Sequence, residues 1–169
     1  YVDENSKFYQ KLYKEHNIDI LDIKSIDDLT LLPTVTKLDL QRNNTDFFCV
    51  ASEEISDIVT TSGTLGAPVT VPLTKNDLNR LATNEANSFT LAGVTSSDVI
   101  QLMVTMEMRF MAGLAYFLGI QKLGATSLRL GPGSPIVQLE NIEKFKPTVL
   151  VGIPSFVAKI VEYAQNSGI

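Results

Sequence analysis

Four hydroxyl side chains and two glycines fall within seven consecutive residues: Thr60, Thr61, Ser62, Gly63, Thr64, Leu65 and Gly66. Glycine lets the backbone take positive φ and approach a ligand closely. Successive backbone N–H groups can then converge on an anion, with Ser and Thr hydroxyls as further donors. The chemistry this suggests is the holding of phosphate oxygens. The stretch contains no lysine, so it is not the G-x-x-x-x-G-K-[ST] phosphate loop, and it is not the G-x-G-x-x-G dinucleotide turn. A plain structural alternative also fits: Ser-Gly and Leu-Gly are ordinary turn pairs between two strands. The loop alone leaves both readings open.

Other chemistry-bearing residues are sparse. His16 is the only histidine and Cys49 the only cysteine, so a transition-metal site and an internal disulfide are not expected. Cys49 sits in the apolar run Phe47, Phe48, Cys49, Val50 and reads as a small buried hydrophobe; a single thiol fits a reducing compartment, and the expected location is cytoplasmic. His16 reads as a surface residue of the first helix. Met103 and Met111 read as gap-fillers of the core, and Glu107 with Arg109 as an exposed charge pair of little weight. With 14 Lys plus Arg against 19 Asp plus Glu, the formal charge is −5. That balance argues against a nucleic-acid polymer as partner, while leaving room for a small anion held by a few oriented amides. No apolar run reaches the roughly 18 residues of a spanning helix, so no membrane partner is expected. The start at Tyr1 and the end at Ile169 read as cut points in something longer.

The elements that would position the loop follow from periodicity. Residues 1–45 form a polar, helical N-terminal segment. Phe8, Leu12 and Tyr13 predict a helix from about Glu4 to His16, and Thr36 with Asp39 three residues on predicts the capped start of a second. From residue 46 to 169 strands alternate with helices. Strands are expected at Phe47 to Val50, Ile55 to Thr61, Val69 to Leu73, Val99 to Val104, Thr126 to Leu130 and Val149 to Val151. Helices are expected from Thr74 to Gly93, from Phe110 to Leu123 with Gly124 as its stop, from Ser134-Pro135 to Phe145, and from Pro154-Ser155 onward. The fold class is therefore α/β, a mostly parallel sheet flanked by helices.

The segment Thr61-Ser62-Gly63-Thr64-Leu65-Gly66-Ala67-Pro68 resembles the Thr-Ser-Gly-Thr-Thr-Gly-x-Pro signature of the adenylate-forming (AMP-binding) enzymes. The surroundings are similar to one branch, the phenylacetate–CoA ligase family. Ile26-Asp27-Asp28-Leu29, Leu32-Pro33 and Thr36-Lys37-x-Asp39-Leu40 match upstream. Leu73-Thr74-Lys75-x-Asp77-Leu78, Ala92-Gly93-Val94, Asp98-Val99, Phe110, Gly113-Leu114, Leu123-Gly124-Ala125-Thr126, Lys146-Pro147-Thr148-Val149-Leu150 and Pro154-Ser155 follow in order.

The resemblance implies an N-terminal fragment of an ATP-dependent carboxylate–CoA ligase. Such an enzyme joins an acid to AMP and then passes the acyl group to coenzyme A. It implies ATP, Mg²⁺ and coenzyme A as cofactors, a small and aromatic carboxylic acid as substrate, and phosphate contacts from Thr61, Ser62, Gly63, Thr64 and Gly66. Met106, Phe110 and Gly113 become candidates for the acyl pocket. No catalytic residue is assigned, because the family's adenine and ribose motifs and its catalytic lysine would lie beyond Ile169; the 169-residue chain alone is expected to be inactive. Two departures stand out. Leu65 replaces a threonine, and Thr105-Met106-Glu107-Met108-Arg109 replaces an aromatic- and glycine-rich stretch, which points to a different acyl substrate or weaker activity. A transfer to a protein or another acceptor, and a non-catalytic nucleotide- or acyl-binding module, are the alternatives; an open sheet edge would also allow a homodimer.

Overall fold

A computed structural model describes residues 1–61, 63 and 66–168. It divides into two compact units, Tyr1–Thr74 and Lys75–Ile169.

In the first unit, α1 (Val2–Asn5) and α2 (Lys7–Glu15) stand where the periodicity predicts one helix. The break is Ser6, with extended backbone at φ −107°, ψ 118°. Its fully buried hydroxyl accepts from the Tyr9 N–H at 3.4 Å and donates to the Asp46 carbonyl at 2.8 Å. One side chain thus caps α2 and ties it to a distant segment, which a continuous helix would not allow. The second correction is Phe47 to Val50. No strand forms there; Asn44–Phe47 is a 3-10 turn. The Phe47 ring stacks on Phe8 with centroids 3.9 Å apart and meets Tyr9 edge-on, so aromatic packing takes the place of ladder pairing. Cys49 is half-buried rather than buried, its thiol donating to the Phe47 carbonyl at 3.3 Å. His16 lies exposed at the C-terminal end of α2, as the sequence suggests, with Nδ1 2.9 Å from the Leu12 carbonyl.

The helix α3 (Lys37–Arg42) begins where Thr36 and Asp39 predict it. Asp39 N–H donates to Thr36 Oγ1 at 3.3 Å, and Asp39 Oδ2 accepts from the Thr36 N–H at 2.8 Å. The strands β1 (Ile55–Thr60) and β2 (Thr70–Thr74) pair antiparallel, with Thr60 opposite Thr70. The antiparallel pairing agrees with the hairpin alternative at this loop, since nine residues are too few for a parallel crossover.

In the second unit the parallel order is as expected. The strands β3 (Val99–Leu102), β4 (Thr126–Arg129) and β5 (Val149–Val151) form a parallel sheet in the order β4-β3-β5. The helices α4 (Lys75–Leu91), α5 (Met111–Leu123), α6 (Pro135–Phe145) and α7 (Pro154–Ser167) complete the unit. Ile100 and Ile120, both fully buried, form the core with Phe89, Val94 and Ala125. The helices α4 and α5 pack closely because α5 presents Gly119, where a Cβ would collide with Glu85. Gly124 ends α5 in the left-handed conformation at φ +81°. Met103 is buried as a core residue, whereas Met111 is 43% exposed and fills no gap. Among the described residues, no helix is long and apolar enough to cross a membrane.

Candidate functional site

The hairpin between β1 and β2 carries the first candidate site. Its mouth is closed by Thr61 and Val69: the Thr61 N–H donates to the Val69 carbonyl, and the Val69 N–H donates to Thr61 Oγ1, both at 3.0 Å. An accepting hydroxyl keeps its own proton to donate, and Thr61 is exposed, so it retains a donor for an anion. Gly63 and Gly66 are the two glycines of the loop. Gly66 N–H donates back to the Gly63 carbonyl at 3.1 Å.

Both positions require glycine, for two separate reasons. Their φ values are +67° and +140°, and the second lies in a region that side chains rarely adopt. A Cβ on Gly63 would also sit 3.0 Å from the Gly66 carbonyl oxygen, and one on Gly66 would sit 3.0 Å from Gln41 Nε2. Ser62, Thr64 and Leu65 lie outside the described residues.

Two side chains from outside the loop fix it. Gln41, on α3, donates from Nε2 to the Ala67 carbonyl at 2.7 Å. Asn44 pairs with Thr70 through both amide groups: Nδ2 donates to the Thr70 carbonyl and Oδ1 accepts the Thr70 N–H, each at 2.9 Å. Asn44 therefore acts as one extra rung beside the first residue of β2. Sequence reasoning missed both. Each partner is 26 residues away, so no local spacing marks them; the available signal was polar side chains in and just after the short capped helix upstream of the hairpin.

The second candidate site is a cleft of about 430 Å³ in the second unit, at the carboxyl ends of β3 and β4. Parallel sheets characteristically bind ligands at that end. Val104, Thr105, Met106 and Glu107 form one wall, and Arg129 to Pro132 the other. The Arg129 guanidinium lies 5.0 Å from the centre of the Phe117 ring, a cation–π contact that limits where it can point. Sequence reasoning did not single out Arg129. Of the acyl-pocket candidates, Met106 lines this cleft. Phe110 stands 44% exposed just before α5. Gly113 is buried in the first turn of α5, where a Cβ would run into the Thr105 carbonyl; its smallness sets how closely the helix approaches the wall. Glu107 and Arg109 make no ion pair with each other.

The wall segment holds unusual backbone. Met108 and Arg109 have φ of +57° and +60°, two consecutive non-glycine residues in the left-handed region. Such residues cost about 1–2 kcal/mol each.

Among the described residues no group of three or more His, Cys, Asp or Glu is arranged to hold a metal ion. The shifted carboxylates are structural. At Asp98, the Thr95 N–H, the Thr148 hydroxyl and the Thr95 hydroxyl all donate to the carboxylate and hold it below the usual range. That arrangement ties the start of β3 to the residue before β5.

A family model described as AMP-binding enzyme matches residues 4–168. The chain is 30% identical over 168 residues to a phenylacetate-coenzyme A ligase of Aromatoleum evansii, covering 98% of this chain and 38% of that protein. It is 31% identical over 164 residues to a phenylacetate-coenzyme A ligase of Escherichia coli K12, covering 96% and 37%. The chain thus spans a little over a third of the curated relatives it matches. The structure of an open conformation of 2-hydroxyisobutyryl-CoA ligase, in complex with 2-HIB-AMP and CoA, superposes with a TM-score of 0.87 at 21% identity; it covers 99% of this chain and 38% of that one. At that identity the likeness establishes the adenylate-forming fold alone.

Proposed function

Because the chain belongs to the AMP-binding enzyme family, we propose that its hairpin loop holds the phosphates of ATP in a carboxylate–CoA ligase. In the first step a carboxylate oxygen attacks the α-phosphorus, the bond to the bridging oxygen breaks, and pyrophosphate leaves; the product is an acyl-adenylate. In the second step the coenzyme A thiolate attacks the acyl carbon, a C–S bond forms, and AMP leaves with the electron pair of the broken C–O bond. Both steps ask the protein for positioning and charge stabilisation rather than for a nucleophile.

The observation that carries the reading is the glycine frame. Gly63 and Gly66 hold positive φ in tight surroundings, where a Cβ would come within 3.0 Å of its neighbours, and Gln41 braces the chain just behind them. The exposed Thr61 hydroxyl accepts from the Val69 N–H and keeps its own proton to donate, a donor suited to a phosphate oxygen. Thr61, Ser62, Gly63, Thr64 and Gly66 supply the contacts. Mg²⁺ neutralises phosphate charge when bound, and in this reading the phosphates themselves bring it, since no residue of the chain is assigned to it. The cleft beside Met106 takes the acyl group. Similarity to phenylacetate-coenzyme A ligases favours a small aromatic acid, while Met106 and Glu107 in the wall favour a departure from phenylacetate itself.

The test is product analysis with the intact protein, ATP·Mg²⁺ and a panel of aryl and short aliphatic acids, with and without coenzyme A. A thioester and AMP formed only with coenzyme A support the reading. An acyl-adenylate that accumulates in the presence of coenzyme A supports transfer to another acceptor. No AMP with any acid contradicts an adenylating function.

A further inference from the structure

The face of the parallel sheet covered by α6 contains two glutamines where apolar side chains would pack. Gln101, in the central strand β3, and Gln138, in α6, are both fully buried. Gln101 Nε2 donates to the Gln138 side-chain oxygen at 2.8 Å and to its backbone carbonyl at 3.2 Å. Gln138 Nε2 in turn donates to the Gly131 carbonyl at 3.0 Å. A chain of hydrogen bonds therefore runs from the middle of the sheet to the wall of the cleft. It is not fully satisfied, since Gln101 Oε1 is buried without a partner. A buried amide left partly unpaired is destabilising, and an apolar pair of similar shape would avoid that. Its presence needs a reason other than stability.

The reason lies at Gly131. Leu130 and Gly131 both donate their N–H groups to the Leu102 carbonyl at 3.1 Å, at the end of β3. Gly131, at φ +67°, turns the chain there. Its N–H is thus tied to the strand end and its carbonyl to Gln138, so the peptide groups on both sides of Gly131 are fixed. Leu130, Gly131 and Pro132 form one wall of the cleft. We propose that Gln138, keyed by Gln101, is a positioning residue: it sets this wall and through it the affinity for the acid whose acyl group the cleft takes. The proposal rests on the ligase reading for the identity of the occupant.

The test uses two variants of the intact protein, Gln138→Met and the double Gln101→Met/Gln138→Met. The first removes the anchor and strands Gln101. The second also removes the stranded amide, so thermal stability recovers while Gly131 stays unanchored. The expected result is an acid KM raised about fivefold to tenfold in both variants, with the ATP KM unchanged. A purely structural pair would behave differently, with the double variant recovering KM together with Tm. That recovery, an unmoved acid KM, or equal rises for acid and ATP would each overturn the proposal. Amide exchange at Leu130 and Gly131 is read in parallel and needs no substrate. It should accelerate about tenfold in both variants, and unchanged exchange also overturns the proposal. If the unmodified protein adenylates no acid, the ligase reading fails by itself, and the exchange rates still decide whether Gln138 anchors the wall.

Discussion

Gln41 Nε2 lies 2.7 Å from the carbonyl oxygen of Ala67, and the same amide occupies the space that a Cβ on Gly66 would need. A helix that precedes the hairpin therefore does two things at once: it anchors the descending side of the loop and it crowds position 66, where φ of +140° already favours glycine. The phosphate-loop reading predicts that this brace matters for nucleotide affinity more than for folding. Gln41→Ala should weaken ATP binding by about tenfold, the value of one well-made hydrogen bond at a preorganised site, with Tm nearly unchanged. Calorimetry with ATP·Mg²⁺ checks it.

Asn44 presents a stricter case because both its amide groups are used. Asn44→Ala leaves the Thr70 N–H and carbonyl without their partner, and should destabilise the unit by about 1–3 kcal/mol. Asn44→Asp keeps the acceptor, loses the donor and places a charge against the Thr70 carbonyl, so it should be no better than alanine. Urea unfolding of the two variants gives the order.

At the cleft, Gly113→Ala drives a methyl group into the Thr105 carbonyl. Overpacking of this kind costs about 1–3 kcal/mol, and the wall carrying Met106 must shift to accommodate it. Thermal denaturation should show a Tm lowered by several degrees, on the order of 2–8 °C per kcal/mol.

Arg109→Gly should have the opposite sign. It relieves a left-handed residue, worth about 1–2 kcal/mol, and loses about 0.5–1 kcal/mol through the greater freedom of glycine in the unfolded chain. A net gain of about 0.5–1 kcal/mol is expected by chemical denaturation. A loss would mean that the Arg109 side chain makes a stabilising contact large enough to outweigh the strain.

Asp98 gives the pH dependence. Its carboxyl is held below the ordinary value in the folded protein by hydrogen bonds from Thr95 and Thr148. A depressed folded value means stability that is present above the unfolded pKa, about 3.9, and lost as pH falls through the folded one. Asp98→Asn should therefore lower Tm at pH 7, and the gap to the unmodified protein should narrow as pH falls from about 4 toward 2. A gap that stays constant over that range would contradict this.

What the sequence made legible was local. The capping box of Thr36 and Asp39, the stop at Gly124 and the alternation that yields the β4-β3-β5 sheet all reside in neighbouring residues, and each appears where the pattern puts it. What escaped was set by distant contacts. Ser6 breaks the first helix because Asp46 takes its hydroxyl, and Phe47 leaves the strand because Phe8 takes its ring. The hairpin shows the same division. Its glycines were visible as a motif, but Gln41 and Asn44, which hold it, have no local signature. The buried pair Gln101 and Gln138 left only a faint trace, one polar residue within the apolar run Val99, Ile100, Leu102.

The most direct measurement of the central claim is carboxylate-dependent exchange of labelled pyrophosphate into ATP by the intact protein, compared with its Gly66→Ala variant. The account predicts exchange that requires an acid and falls by at least about 100-fold in the variant, since alanine at a φ of +140° is strained and crowds the Gln41 brace, which displaces the loop. Acid-dependent exchange that survives Gly66→Ala at the unmodified rate would contradict the claim that this hairpin holds the phosphates.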